Sequence, residues 1–202
     1  MHEVPRSRLG RLEDKLSRGV VGCAAVAAAG VLAWSDYVLV VFGRVVPGWV
    51  PAGVALLTAA VLLRGRLFPD PPARRPPGAG PFRLRPVAGL AGAVLILLIG
   101  LGVLIEALDD LGADYYVQGP YGPDGCRVVV RETSFLMSGR GDVYAAGFTG
   151  FGAHVGDWTA DDGYRPWASG TYDLHWGPDG GSLLIEGDAT DPVWSHVDTI
   201  TC

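Results

Sequence analysis

The chain has 202 residues, 49% apolar and 18% charged, with a net charge of −5 that conceals a split. Up to Ile105 it holds 12 Lys and Arg against 5 Asp and Glu, and from Glu106 onward 4 against 16. Apolar blocks too long for a soluble amphipathic pattern exclude an ordinary globule for the first half, and the acidic second half lacks the basic stripe that nucleic-acid binding requires.

Residues 1–18 form a basic amino-terminal segment with Arg6, Arg8, Arg11, Lys15 and Arg18. An apolar stretch follows at 19–42, interrupted by Ser35 and Asp36, and predicts a first transmembrane helix. A cleaved signal peptide is its rival, but Val38–Phe42 prolongs the run beyond a usual signal core. Asp36 falls about 26 Å along such a helix, at the outer interface between Trp34 and Tyr37, where a solvated or Arg44-paired carboxylate is expected rather than an ion or proton carrier. A second span is predicted at 45–63, with Pro47 and Pro51 in its first turns, where missing backbone donors cost least. Ala24, Ala28, Ala25, Ala29 and Ala33 recur four apart in the first span, a spacing that permits close helix approach.

The segment 64–86 carries six Arg and seven Pro and reads as a cytoplasmic linker in contact with anionic lipid headgroups. Val87–Ile105 is nineteen residues without a charge, about 28 Å of helix, and predicts the third span. Basic residues before it and Glu106, Asp109, Asp110 and Asp114 after it set the orientation: amino end in the cytoplasm, carboxyl end outside. Fifteen Arg against one Lys, with no Asn, fit the codon pool of a GC-rich bacterial genome.

The remainder, 106–202, predicts a small all-β extracytoplasmic domain, a meander or sandwich. Cys126–Glu132 alternates and is continued by Phe135–Met137, with a turn expected at Gly139–Gly141 before Asp142–Phe148. Thr171–Trp176 and Ser182–Gly187 flank turn chemistry at Pro178–Gly181, and Val193–Ile200 is a last strand. Cys126 opens the first long strand and Cys202 is the final residue; outside the cell they are expected to form a disulfide. Closing a loop of this size stabilises by about 4 kcal/mol on the chain-entropy model.

Catalytic signals are weak. His154, His175 and His196 share no metal-ligand spacing, and no Gly-x-Ser-x-Gly elbow occurs. Asp157, Asp161 and Asp162 lie in GDWTADDGYRPWASG, a loop-like stretch that offers calcium carboxylates without EF-hand spacing. The same stretch holds Trp158, Tyr164 and Trp167, with Trp176 and Trp194 on flanking strands. Rings on an open loop would stack on a glycan or pack on a partner; the alternative is that they fill the core. The sequence therefore favours a noncatalytic membrane-anchored protein whose outer domain binds an envelope ligand or a membrane-protein partner through 156–170, with no cofactor. An envelope-polymer hydrolase using Asp157, Asp161 or Glu132 and a small transporter or channel subunit are the rivals.

Overall fold

The structure, a computed structural model, describes residues 6–67, 85–187, 190–195 and 199–202. Most of the Arg- and Pro-rich linker and its expected headgroup contacts therefore lie outside the described residues, as does His196. The chain divides into two compact units, Met1–Trp34 with Trp49–Ile105, and Ser35–Gly48 with Glu106–Cys202.

The first unit is helical: α1 (Arg6–Ala33), α2 (Trp49–Leu67) and α3 (Arg85–Asp109). Among the described residues one stretch, Leu90–Asp109 of α3, is long and apolar enough to cross a membrane; the apolar parts of α1 and α2, Val20–Ala33 and Trp49–Arg64, are shorter. Small residues let the helices approach, Ala29 among them, while Ala24 and Ala28 of the four-residue spacing are exposed. A side chain at Gly22 of α1 would run into Leu63 of α2, Ala29, Ala52 and Ala59 are buried, and Gly53 and Gly100 lie against Val103 and Leu56.

The first helix stops at Ala33, not at Phe42. Ser35 and Asp36 are poor helix formers, and the β-branched run that follows favours strand: Tyr37–Val41 is β1 and Arg44–Pro47 is β2. Phe42 (φ +50°) and Gly43 (φ +77°) make the two-residue turn between them, the positive-φ pair that a tight hairpin needs. The apolar residues read as the end of the first span and the start of the second are instead two strands of the second unit.

That unit is built on an antiparallel sheet in the order β2-β1-β6-β5-β4-β3, where β3 is Asp114–Gln118, β4 Arg127–Phe135, β5 Ser138–Ala146 and β6 Phe151–Asp161. β2 curls round to lie beside β3, so the sheet is nearly a barrel. Inside it pack Val38, Val40, Val129, Tyr144 and Ala146, with Val45, Tyr115 and Val117 against them. The outer face of β4, β5 and β6 carries a larger core of Val128, Val130, Val143, Ala145, Trp158, Trp167, Leu183, Ile185 and Ile200. Strand alternation sorts the two sets: on β4 the even residues face the outer core and the odd ones the barrel interior.

A short helix α4 (Pro166–Ser169) and the hairpin β7 (Tyr172–Gly177) with β8 (Gly180–Ile185) cover the outer core, and β9 (Val193–Ser195) pairs with β6. The β4–β5 turn lies at Leu136 and Met137, not at Gly139–Gly141, and the physical reason is on the neighbouring strand. Gly141 pairs with Trp158, whose indole occupies the space a Cβ would need, while the Tyr164 carbonyl closes in on Gly139. Those glycines serve close packing within the strand rather than chain reversal. Cys126 and Cys202 form a disulfide across 76 positions, joining the start of β4 to the chain terminus as expected.

Candidate functional site

The chain enters and leaves the β unit at one end of its sheet, at Ser35, Gly48 and Glu106, and a charged cluster is built there from the barrel's inner face. Arg131, an odd residue of β4, is buried and gives its guanidinium three carboxylates. Nη1 donates to Asp142 Oδ2 (2.9 Å), Nε to Asp110 Oδ1 (3.0 Å), and Nη2 to Asp109 Oδ2 (2.9 Å) and to the Asp109 carbonyl (2.9 Å). Tyr115 donates to the same Asp110 oxygen at 2.6 Å. Burial alone would lower the Arg131 pKa, but the hydrogen bonds to Asp110, Asp142 and Asp109 outweigh it and the net direction is up. Burial and the Asp110 hydrogen bond push the Tyr115 hydroxyl up. The cluster therefore keeps a fixed cation at the end of α3 and ties Asp109 and Asp110 to the sheet.

Asp36 lies beside it. Its carboxylate accepts from Tyr144 Oη at 2.9 Å and stands 3.9 Å from His154 Nδ1, while His154 Nε2 is 3.9 Å from Asp142. Burial, then the charges of Asp36 and Asp142, raise the Tyr144 pKa. Neither sequence expectation for Asp36 names these partners: it holds the β1–β2 hairpin to β5 and β6.

On the opposite face of β4, Glu132 is fully buried and accepts the backbone N–H groups of Trp167 (2.9 Å) and Ala168 (3.1 Å) and Nε of Arg165 (3.2 Å). Arg165 also pairs with Asp114. Burial raises the Glu132 pKa against the pull of these donors. With its acceptors occupied by α4 and Arg165, Glu132 anchors that helix and is sealed from any substrate, which removes it from the hydrolase reading.

The aromatic stretch is not an open loop. Residues through Asp161 belong to β6, and Trp158 (0% exposed) and Trp167 (4%) are core. The Trp167 ring stacks on Tyr172 with centroids 3.8 Å apart and lies 6.4 Å from Trp158, and Tyr164 Oη shares a 2.8 Å hydrogen bond with Thr171. The segment's aliphatic poverty is the cause: with few large aliphatic residues in this part of the chain, indoles supply the apolar volume. Asp157 and Asp161 sit four residues apart on one strand, about 13 Å at strand rise, too far to share an ion, and Asp162 follows in a turn at φ +50°. Among the described residues no three His, Cys, Asp or Glu converge as metal ligands.

An exposed apolar rim occupies the other end of the sheet, and sequence reasoning missed it. The β5–β6 turn sits on β1 through the hydrogen bond from Val40 N to the Gly150 carbonyl (2.7 Å), which brings the β1–β2 and β5–β6 turns side by side. Val41, Phe42, Phe148 and Phe151 are all exposed there, Phe42 completely and Phe148 at 82%. Nearby Arg127 lies over the exposed Tyr121 ring at 4.9 Å. The missed signal was the β-branched run ending in Phe-Gly, which marks a hairpin tip. Compared with protein-family models, curated proteins and solved structures, the chain matches none.

Proposed function

We propose that the chain is a noncatalytic membrane-anchored binding protein, in which α1, α2 and α3 span the bilayer and the β unit presents its far rim to an envelope protein. One observation carries the sidedness: β1 and β2, between α1 and α2, share a sheet with strands that follow α3. The end of α1, the start of α2 and the end of α3 must then lie on one side of whatever the helices cross. The charge distribution supports that side being the outside, since Arg44 is the lone Lys or Arg of 35–48 while the amino-terminal segment and the linker are basic. The disulfide supports it too, because such bonds persist in oxidising compartments. The short apolar parts of α1 and α2 fit a bilayer that thins locally around them.

The rim supports the binding half of the reading. Large exposed apolar groups gathered on adjacent turns are costly to leave in water and are what a protein partner covers. Photocrosslinking residues placed at positions 42 and 148 in intact cells test it. A shared adduct of defined mass is expected from both, with none from position 184 on the exposed side of β8. No adduct from 42 and 148, or the same adduct from 184, refutes the reading.

A hydrolase is the second reading, favoured by one observation: half-buried His154 lies between the carboxylates of Asp36 and Asp142. It predicts that His154→Ala abolishes an envelope-degrading activity; the binding reading predicts that the rim crosslinks survive this change.

A further inference from the structure

The β4–β5 hairpin ends in three consecutive exposed apolar side chains, Phe135 (78%), Leu136 (83%) and Met137 (71%). They stand at the end of the sheet where the helices connect, opposite to the aromatic rim. The register fixes this: Arg131 and Asp142 pair at the level where Asp109 and Asp110 leave α3, and β4 and β5 continue four more pairs to Phe135 and Ser138. At about 3.3 Å per residue the tip reaches about 13 Å along the strands beyond the residues that close α3.

The hairpin is held out rather than folded back. Leu136 takes a left-handed φ of +54° to reverse the chain, and Ser134 Oγ donates to the Gly163 carbonyl at 3.0 Å, bracing the tip against the turn after β6. Trp194, half exposed on β9, lies two register steps from the tip, beside Thr159, which pairs with Arg140.

We propose that Phe135, Leu136 and Met137 insert into the outer-leaflet interface of the bilayer that holds α3, making the hairpin a second, non-helical membrane contact. This rests on the membrane-anchored reading above. The occupant follows from continuity: Ser35, Gly48 and Glu106, through which the chain passes between the β unit and the helical one, lie at this end of the sheet, and α3 is an apolar helix of bilayer length that ends at Asp109. An apolar triplet dipping into the headgroup and acyl boundary loses its exposed area to lipid, the mode by which interfacial segments bind. Beside the tip the exposed Arg140 is offset by the carboxylates Asp161 and Asp162, so contact is driven by apolar burial rather than by lipid charge.

The test uses the full chain with Cys23→Ala in nanodiscs of phosphatidylcholine, with or without phosphatidylglycerol. An environment-sensitive fluorophore is attached in turn at Leu136→Cys, Met137→Cys, Leu98→Cys on α3 and Phe148→Cys on the rim. Labels at 136 and 137 are expected to emit to the blue of the label at 148 and to lose intensity when lipids carry a doxyl quencher high on the acyl chain. Both lipid compositions should give the same loss. Quenching at 98 with none at 136 and 137 overturns the hairpin proposal alone. Absence of quenching at 98 overturns membrane anchoring and the hairpin proposal with it. A blue shift at 136 without quenching means that protein, such as a second copy, covers the tip, and also overturns the proposal.

Discussion

Replacing Arg131 by Met removes the cation but keeps an unbranched apolar stem in its place. The Arg131 side chain is 10% exposed, and its partners Asp110 and Asp142 are 12% and 19% exposed, so the change strands two nearly buried carboxylates. Asp109 is 66% exposed, and its pair with Arg131 falls in the range of about 0–1 kcal/mol typical of surface ion pairs. Breaking a buried pair from one side costs about 3–5 kcal/mol, against a typical domain stability of about 5–15 kcal/mol. At about 4 °C per kcal/mol, the lower figure already lowers Tm by about 12 °C. The assay is thermal unfolding of the full chain in nanodiscs, followed by the fluorescence of the buried indoles. Combining Arg131→Met with Asp110→Asn and Asp142→Asn should recover much of the loss, because the uncompensated charges go with the cation. A shift below about 4 °C for the single variant, or no recovery in the triple variant, would refute the account of a buried charge network.

Trp158→Ala and Trp167→Ala should each destabilise the β unit by about 3–5 kcal/mol in the same melt, since both indoles are core. Unchanged melting with lost binding would return them to the surface. Replacing Cys126 and Cys202 by Ser should cost up to about 4 kcal/mol, and reductant should then leave the variant's Tm unmoved while lowering that of the parent protein. Glu132 sets a pH dependence. Burial raises its folded pKa above the ordinary 4.5, so the folded state keeps the proton to higher pH than the unfolded chain. Its contribution is thus fully present below the unfolded value and is lost as pH rises through the folded pKa. The Tm of the parent chain minus that of Glu132→Gln should fall as pH is raised from about 4; a difference that grows with pH would show that Arg165 and the amide donors outweigh burial.

The sequence made the long apolar helix, the β character of the last ninety or so residues, the β7–β8 hairpin and the disulfide legible, because each rests on a local pattern or a residue type with one dominant use. What escaped it depends on residues distant in the chain. Val38–Val41 are apolar whether they continue a helix or fill a barrel, and only pairing with Phe151–Ala153, over a hundred positions away, selects the strand. Gly139 and Gly141 look like a turn until Trp158 and Tyr164 are placed over them. Asp109 and Asp110 read as an exposed charge step, yet Arg131 lies 21 positions from Asp110 and claims them both. The aromatic candidates illustrate the same limit: Asp, Gly and Pro around Trp158 and Trp167 suggest an open loop, whereas β6 turns Trp158 inward and α4 carries Trp167 into the same core.

Cysteine labelling in intact cells tests most directly whether 35–48 and 106–202 form one domain outside the membrane. In a Cys23→Ala background, Phe42→Cys, Phe148→Cys and, in the linker, Ala79→Cys are exposed in turn to a membrane-impermeant maleimide. The account predicts that positions 42 and 148 react before lysis and position 79 only after it. Protection of 42 and 148 in intact cells, or reaction of one without the other, would contradict it.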